Sequence, residues 1–326
     1  ADLIGAGHPL EVVFTGGGTE ADNLAVVGSA LAGGGRGEVV TTAVEHEAIL
    51  ESVAFLAMLG CSTDLIGVDG NGALAIDELT AALNERTALV SVMAANNETG
   101  VLFPVSEIAS AVKDAAPGVR VHTDAVQAFI SEEITVASTG ADMMSLAGHK
   151  FGGPKGVGLL YVPRGVELEP VIHGGGQELG RRSGTHNVAS IVGMVAAMEA
   201  TVAARSAMRS RVAAIRDDFE RDLQAQVPDT VVTGAASPRL VQHSHVRIPG
   251  VAAETLLIRL DQDGVAAAAG SACNSGAIEV SHVLAAMGMG ETEAGECVRF
   301  SFGWSSGPDD GRKAAQRVIS VVKDLR

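Results

Sequence analysis

Lys150 is the residue of this sequence best placed to act as a chemical amine. It lies in SLAGHKFGGPKG (145–156), directly after an apolar predicted strand and among glycines. The lysines of the chain are few, namely Lys113, Lys150, Lys155, Lys313 and Lys323. A lysine in such a loop is suited to form a Schiff base with an aldehyde cofactor. The alternative is a solvated surface lysine, which is the interpretation we favour for Lys155.

Asp124 lies at the end of a second predicted strand, in VRVHTDAVQ (119–127). A carboxylate at this place could pair with a pyridinium nitrogen and keep a cofactor ring protonated as an electron sink. Gln127, one turn later, could reach the same ligand. The alternative role for Asp124 is that of a helix N-cap.

His46 lies at the end of a third predicted strand, in VEHEAI (44–49). Aromatic residues make up only 3% of the chain, so a histidine is a candidate to stack on a cofactor ring. Histidine also moves protons near neutral pH. The alternative is a structural histidine at the start of a helix.

Two glycine-rich segments could bind anions. FTGGGTEADN (14–23) leads from a predicted strand into a helix from about Thr19, so that free N–H groups and the positive helix end could hold a phosphate. It matches neither GxGxxG nor GxxxxGK[ST], which argues against a dinucleotide site or a P-loop, and an ordinary turn is the alternative. HGGGQELGRRSGTHN (173–187) would suit an anion or a subunit contact.

Cys273 lies among small and polar residues in AAAAGSACNSG (266–276). An accessible cysteine on such a loop suits a nucleophile that must travel. For Cys61 and Cys297 we expect buried thiols that behave as small apolar groups. Arg299, in VRFSFG (298–303), is placed on a predicted strand, where its guanidinium group could hold a substrate carboxylate.

Apolar strands alternate with helical segments over the first two thirds of the chain. The strand-like runs include EVVF (11–14), EVVTTA (38–43) and GVGLLYV (156–162). This alternation predicts an α/β domain with a mostly parallel sheet covered on both faces. Ligands of such sheets bind at the carboxyl ends of the strands.

The helical stretch from about Asn187 to Gln226 is too long for one uninterrupted globular helix, so we expect it to bend or to link two domains. After Pro228 the pattern predicts a smaller α+β domain. We therefore expect a large domain over 1–206 and a small domain, carrying the Cys273 loop, over 207–326.

The composition excludes several classes of partner. The formal net charge is −16, so electrostatic attraction does not favour direct binding to nucleic acid or to anionic lipid. No apolar run reaches the roughly 18 residues of a membrane span. The opening lacks a signal-peptide pattern, and the three cysteines form no CxxC metal motif. We predict a cytoplasmic protein without a metal site.

Eight segments, in their order and spacing, closely resemble the group I cysteine desulfurases of the NifS/IscS kind, which are class V, fold-type I enzymes dependent on pyridoxal 5'-phosphate. They are FTGGGTEADN, VEHEA, NNETG (96–100), HTDAVQ, SLAGHKFGGPKG, HGGGQELGRRSGT, GSACNSG and VRFSFG. The resemblance covers nearly the whole chain. It implies a homodimer with a mostly parallel, seven-stranded sheet in each large domain.

The resemblance also implies a role for each motif residue at the cofactor. Lys150 would bind the cofactor's aldehyde, Asp124 the pyridine nitrogen and Gln127 the ring hydroxyl. His46 would stack on the ring and assist proton transfer. The residues implied for the phosphate are Gly18, Thr19 and His149, with Thr185 reaching the phosphate site of the other subunit.

The same resemblance implies L-cysteine as the substrate. Asn97 and Arg299 would bind its carboxylate, and Lys150 would remove its α-proton. Cys273 would attack its sulfur, which leaves a persulfide on the enzyme and releases L-alanine. The persulfide would pass to an acceptor protein for iron–sulfur assembly, tRNA thiolation or DNA phosphorothioation.

The sequence departs from the family pattern at several positions. Ala147 stands where the family usually has a serine, which removes one phosphate hydrogen bond, worth about 1–3 kcal/mol if charged. Gly16 and Gly18 replace the usual serine and alanine. Relatives also carry a segment before the part that matches, so we expect either a longer native protein or an altered entrance to the site.

Two further functions stay open as alternatives. A class V aminotransferase, or a selenocysteine or C–S lyase, would use the same cofactor, although an aminotransferase needs no thiol such as Cys273. The other alternative is a desulfurase-like protein that binds partners without turnover, and Ala147 motivates it.

Overall fold

The computed structural model describes residues 1–270 and 281–326, which form two compact units. Unit 1 comprises Ala1–Gly67, Leu74–Ala95 and Phe103–Ala204. Unit 2 comprises Val68–Ala73, Asn96–Leu102 and Arg205–Arg326. Segments 68–73 and 96–102 thus belong to unit 2, although no local sequence pattern separates them from the large domain.

Seven strands form the sheet of unit 1. They are β1 (Val12–Thr15), β2 (Glu38–Thr42), β3 (Thr63–Ile66), β4 (Thr87–Ser91), β5 (Arg120–Asp124), β6 (Met143–Ala147) and β7 (Gly158–Tyr161). Their order is β1-β7-β6-β5-β4-β2-β3. β7 runs antiparallel to β1 and β6, and the other neighbours pair in parallel. The predicted α/β class with a mostly parallel seven-stranded sheet is confirmed.

The apolar sequences of the strands reflect burial on both faces of the sheet. Every residue of β2, β6 and β7 is buried. β3 escaped the sequence analysis because half of its four residues are polar and it lies at the edge of the sheet, where Asp64 and Leu65 are exposed. An edge strand with one neighbour needs no continuous apolar run.

The helices of unit 1 cover the sheet. They are α1 (Gly18–Leu31), α2 (Glu47–Met58), α3 (Ile76–Ala81), α4 (Val105–Ala115), α5 (Val136–Thr139) and the first part of α6 (Val188–Gln226). α1 packs into the main apolar core, where Ala21, Leu24 and Ala25 are buried against strand residues such as Val39 and Leu160.

The expectation that the stretch 187–226 is interrupted was wrong. α6 is one helix of 39 residues, and it runs through Ala204 of unit 1 into unit 2, so it links the two units. It contains no proline and a single glycine, Gly193, and therefore carries no residue that must end it. Gly193 admits a close neighbour, since a Cβ there would lie 2.8 Å from Pro154 Cγ.

Unit 2 combines a small antiparallel sheet with helices. Its elements after α6 are β8 (Val231–Val232), β9 (His243–Arg247), α7 (Ala253–Gln262), α8 (His282–Ala286), α9 (Glu291–Ala294), β10 (Cys297–Ser301) and α10 (Asp310–Leu325), with strand order β10-β9-β8. Its core includes Phe219 of α6, whose ring centroid lies 4.7 Å from that of Phe300. This arrangement agrees with the α+β pattern predicted after Pro228.

Within the described ranges, α6 is long and apolar enough to cross a membrane when length and composition alone are considered. This is weak evidence, because a core helix of a soluble protein passes the same two criteria. The apolar half of α6 also carries an exposed charged residue, Glu199. The absence of a membrane partner stays a prediction.

Gly158→Ala is predicted to destabilise unit 1. A Cβ atom at Gly158 would lie 2.6 Å from the Gly17 carbonyl carbon and 2.7 Å from the Leu146 oxygen, and neither backbone atom can rotate away. We expect a loss of about 1–3 kcal/mol in the free energy of unfolding, measured by urea denaturation.

Gly118→Ala is the matched control, since no heavy atom lies within 4 Å of its Cβ position. It should change the free energy of unfolding by less than about 0.5 kcal/mol. Equal stabilities of the two variants would show that the glycine-rich turn does not pack on β7 as described.

Candidate active site

The candidate site lies at the carboxyl ends of the parallel strands of unit 1. β1 leads through Gly16 and Gly17 into α1, β5 ends at Asp124, and β6 ends just before Lys150. β2 is followed by His46, which is the N-cap of α2. The carboxyl ends of parallel strands share one edge of a sheet, so these motifs meet there as the sequence predicts.

A cavity of about 680 Å³ lies at the start of α1. Its lining residues are Gly16, Gly17, Gly18, Thr19, Glu20, Asn23, His149, Lys155, Gly156, Val171 and Ile172. It therefore contains all the residues of one subunit that the resemblance assigned to phosphate, namely Gly18, Thr19 and His149. Lys155 is exposed, as predicted, and it also lines this cavity. Asn23 was not among the predicted site residues.

The glycines of the turn differ in the space around them. A Cβ atom at Gly18 would lie 3.0 Å from Val126 Cγ2, so this position has little room for a side chain. At Gly17 no heavy atom lies within 4 Å of the Cβ position. The first N–H groups of α1 thus lie beside open space, as an anion site requires.

Glu20 and Arg182 join the two glycine-rich segments at this cavity. Glu20 Oε2 accepts a hydrogen bond from Gly16 N at 2.8 Å, and Arg182 Nε donates to Glu20 Oε1 at 2.7 Å. The hydrogen bond to Glu20 raises the pKa of Arg182. The sequence predicts an anion site or a subunit contact for the segment 173–187, but it does not indicate the ion pair of Glu20 with Arg182.

Asp124 is the buried carboxyl of the candidate site. Its Oδ1 accepts a hydrogen bond from Val126 N at 2.9 Å, so it caps a turn rather than a helix. Burial raises the pKa of Asp124, whereas the Val126 N–H and the charges of His46 and Lys150 lower it. Three predicted site residues are thus within electrostatic reach of one another. Gln127 lies half-buried, three residues further on.

His46 and Lys150 differ in exposure. His46 is half-buried, and its Nδ1 accepts a hydrogen bond from Ala48 N at 3.0 Å. Nδ1 therefore carries no proton, and Nε2 is the nitrogen that can exchange one. Lys150 and His149 are exposed on a 3-10 turn, Gly148–Phe151, directly after β6. Partial burial lowers the pKa of His149, and the charges of Lys150 and Lys155 lower it further.

Buried polar groups surround Asp124 on the inner side. Burial raises the pKa of Asp22, in α1, well above its usual value, and the charge of Asp124 raises it further. Glu45 precedes His46 and accepts hydrogen bonds from Met93 N at 2.9 Å and Thr42 Oγ1 at 2.8 Å. Burial raises the pKa of Glu45 to about 8. His122 lies two residues before Asp124, and burial lowers its pKa to about 3.

Sequence reasoning missed these three groups, although one signal was present. His122 and Asp124 are two residues apart on a strand, so their side chains share a face. Asp22 and Glu45 lie inside motifs whose other residues attracted attention, and only their burial by distant elements distinguishes them.

Asn97 and Arg299 come together within unit 2. Arg299 Nη1 donates a hydrogen bond to the Asn97 carbonyl oxygen at 2.6 Å, across 202 residues of sequence. The neighbouring Glu98 accepts a hydrogen bond from Ser281 Oγ at 2.6 Å. Thr185 is exposed, three residues before α6 begins.

Cys273 lies outside the described residues. The other two thiols, Cys61 and Cys297, are buried as predicted. Burial raises the pKa of Cys297 to about 12, so it is an unreactive thiol at neutral pH. Among the residues that the structure describes, no group of three or more histidine, cysteine or acidic residues could hold a metal ion.

The described residues fit a cofactor with an anionic group at one end and a protonated ring at the other. The cavity at Gly17 and Gly18 offers backbone donors and Lys155 to the anion. The buried Asp124 carboxyl would pair with a ring cation, and Lys150 supplies an amine within its electrostatic reach. Pyridoxal 5'-phosphate has these two ends and an aldehyde for the amine.

Comparison with known proteins agrees with this geometry. Residues 1–310 match the model of the family described as aminotransferase class-V. The chain belongs to this family. The class V resemblance seen in the sequence is therefore confirmed.

Relatives within the aminotransferase class-V family match over most of their length. A cysteine desulfurase of Gluconacetobacter diazotrophicus is 42% identical over 325 residues, which cover 99% of this chain and 81% of that protein. A solved NifS-like protein has a TM-score of 0.90 and 32% identity, covering 99% of this chain and 85% of that one. SspA, solved in complex with cysteine, has a TM-score of 0.78 and 31% identity, covering 93% of this chain and 84% of that one.

Glu45→Gln is predicted to change how stability depends on pH. The pKa of Glu45 rises from 4.5 to about 8 on folding, so its neutral form stabilises the fold at low pH and this contribution is lost as the pH rises through 8. Glutamine cannot ionise. Between pH 4.5 and about 8, the unfolding free energy of the variant should rise relative to that of the wild type by up to about 1.4 kcal/mol per pH unit. Above pH 8 the difference should stay constant.

Urea denaturation at a series of pH values measures this difference. Glu51→Gln is the control, because Glu51 is an exposed glutamate of α2, the helix that begins two residues after Glu45. If both variants differ from the wild type by an amount that does not change with pH, Glu45 does not hold a proton in the folded protein.

Proposed function

We propose that this protein is a cysteine desulfurase that uses pyridoxal 5'-phosphate to move the sulfur of L-cysteine onto Cys273, with L-alanine as the second product. The observation that carries the proposal is the buried Asp124 carboxyl with His46 and Lys150 in electrostatic reach. The family membership and the relatives named as cysteine desulfurases support it.

Residues of unit 1 would hold the cofactor at both ends. Asp124 would accept a hydrogen bond from the protonated ring nitrogen, which compensates the burial of its charge. Lys150 would hold the aldehyde, His46 would cover one face of the ring and Gln127 would bond the ring hydroxyl. The residues proposed for the phosphate are Gly18, Thr19 and His149, with Thr185 supplied by the other subunit.

A residue of the cavity could replace the phosphate donor that is lost at Ala147. Ala147 is buried at the end of β6 and has no hydroxyl to donate. Lys155 lines the cavity at the start of α1, and its ammonium group can donate to a phosphate. Asn23 also lines the cavity, but its Nδ2 already donates to Thr19 O at 2.8 Å and to Ala48 O at 3.5 Å. We propose that Lys155 supplies the missing donor.

The proton chemistry would belong to Lys150 and His46. When bound, pyridoxal 5'-phosphate supplies an electron-poor ring that stabilises negative charge at the substrate's α-carbon. The Lys150 amine would take the α-proton. His46 would exchange a proton at Nε2, because its Nδ1 is held by Ala48 N.

The sulfur step would belong to Cys273. Its thiolate would attack the sulfur of L-cysteine, so that an S–S bond forms while the C–S bond breaks. The electron pair of the C–S bond stays with the carbon, which takes up a proton as L-alanine forms. Asn97 and Arg299 would bind the substrate carboxylate, and a thiol of an acceptor protein would later take the outer sulfur of the persulfide.

The acceptor and the cellular location are further parts of the proposal. The net charge of −16 favours a protein acceptor over direct action on nucleic acid, whether the sulfur serves iron–sulfur assembly, tRNA thiolation or DNA phosphorothioation. We place this reaction in the cytoplasm.

Exposed apolar residues between 171 and 192 support a homodimer. Leu179, Val188 and Val192 are each more than 60% exposed, and only 17% of the most apolar window of α6 is buried. Glu178 and Leu179 also have positive φ angles of 53° and 58°, which is strained backbone for residues other than glycine. A strained segment that exposes leucine and valine suits contact with a second copy of the chain.

Cys273→Ala is predicted to abolish sulfur transfer. The variant should form no persulfide and should release alanine from L-cysteine at least about 100-fold more slowly, because no other thiol can take its place. Alanine release and persulfide mass spectrometry measure the two products. Cys297→Ala is the matched control and should retain activity, since the Cys297 thiol is buried.

Other outcomes separate the alternatives. Full turnover of Cys273→Ala would indicate a class V aminotransferase or a C–S lyase. Wild-type protein that binds pyridoxal 5'-phosphate and forms no alanine would indicate a partner-binding role without turnover. Lys150→Ala, which lacks the amine for the aldehyde, serves as the inactive reference.

The double variant Val188→Glu, Val192→Glu is predicted to weaken the homodimer. Two charges on the exposed apolar face of α6 would have to be desolvated in the interface. We expect wild type to sediment as a dimer and the variant to shift toward monomer at micromolar concentration. Ile258→Glu is the control, because Ile258 is an apolar residue on α7 of unit 2 that is also more than half exposed. A wild-type monomer would contradict the proposal.

A further inference from the structure

A row of buried polar side chains runs across neighbouring strands, next to Asp124 and on the same face of the sheet. It runs from Asp22 on α1 through Ser145 on β6 and His122 on β5 to Ser91 on β4. All four residues are buried, and Asp22 is only 1% exposed. β5 pairs with β4 and β6 on either side, so that these side chains share the face on which Asp124 lies.

The hydrogen bonds of this row can run in either of two directions. His122 Nε2 lies 2.9 Å from Ser145 Oγ, and His122 Nδ1 lies 2.9 Å from Ser91 Oγ. The hydroxyl of Ser145 also acts on the Asp22 carboxyl, and this interaction lowers the pKa of Asp22 against the effect of burial. A serine hydroxyl and a neutral imidazole each donate one hydrogen and accept one, so the proton position at Asp22 decides the direction of the whole row.

The charges around Asp22 favour a protonated carboxyl. Asp124 is a buried carboxyl whose negative charge disfavours a second negative charge on Asp22. The nearest basic group is His122, whose Nε2 is 3.8 Å from Asp22 Oδ1, and burial lowers the pKa of His122 so far that it is neutral. An ionised Asp22 would therefore be a second buried anion beside Asp124 without a cation of its own.

The hydrogen bonding of Asp22 agrees with this conclusion. In the part of the chain that the structure describes, Asp22 Oδ1 is buried and has no hydrogen-bond partner. In an ionised carboxylate that oxygen would carry part of the charge with nothing to stabilise it. In a carboxylic acid it is a neutral carbonyl oxygen, which is far less costly to bury.

We propose that Asp22 is a positioning residue that stays protonated and donates through Ser145 to His122, so that Asp124 is the single anion of this buried layer. His122 then carries its proton on Nδ1 and donates it to Ser91. A neutral layer would leave the negative charge on Asp124, the carboxyl that would pair with the ring nitrogen. This consequence for the cofactor rests on the proposed function, whereas the protonation of Asp22 does not.

Infrared spectroscopy of the cofactor-free protein tests the protonation directly. At pH 7 the wild type should show carboxylic acid C=O absorption that shifts in D₂O. Asp22→Asn should remove the part that belongs to Asp22, whereas the part that belongs to protonated Glu45 should remain. Asp64→Asn, at an exposed residue of β3, is the control and should lose no such band. A wild-type spectrum whose protonated-carboxyl region is unchanged by Asp22→Asn would overturn the proposal, whatever the protein's activity.

Cofactor affinity tests the positioning role. Asp22→Asn keeps a neutral donor, so its Kd for pyridoxal 5'-phosphate should stay within about threefold of wild type, whereas His122→Phe breaks the row and should raise Kd about tenfold. His245→Phe is the matched control, because His245 is a fully buried neutral histidine of unit 2 that bonds Thr233. Equal Kd values for the two histidine variants, or a Kd for Asp22→Asn raised as much as that of His122→Phe, would overturn the positioning role.

Discussion

The buried Asp124 carboxyl is the constraint on which the candidate site depends. An anion at the end of a central strand is costly unless a cation or donor compensates it. The parallel sheet brings compensation to one edge, because β2 and β6 end near β5 and are followed by His46 and Lys150. The Val126 N–H contributes locally. A ring cation bound at this place would complete the compensation, and this is the physical basis of the proposed chemistry.

The proposed phosphate site of unit 1 would rely on backbone N–H groups more than on side chains. Gly17 and Gly18 expose the first N–H groups of α1, and Gly158 lets the turn lie against β7. Glu20 then fixes the turn by accepting from Gly16 N, while Arg182 neutralises it. The arrangement leaves the N–H groups beside a cavity that also contains Lys155.

The sequence analysis succeeded where one short segment contains the whole signal. Asp124 is the last residue of β5, and Lys150 and His46 come three and four residues after the ends of β6 and β2. Recognition of the strands therefore suffices to place all three at the same edge of the sheet. It failed where the outcome depends on the wider context. β3 is half polar because it is an edge strand. The error at α6 has a different origin, since the sequence between 187 and 226 already lacks any residue that must end a helix. Lys155 is exposed as its loop segment predicts, but only the fold shows that it also lines the cavity.

By itself, the sequence determined the fold class, the family resemblance and the residue types at the strand ends, since these follow from patterns of a few residues. Only the tertiary structure decided that Asp22, Glu45 and His122 form a buried polar layer around Asp124. It also decided that Arg299 bonds the backbone at Asn97, 202 residues away. The reason is physical: residue type sets which charges a group can carry, but burial by distant elements sets which charge it does carry.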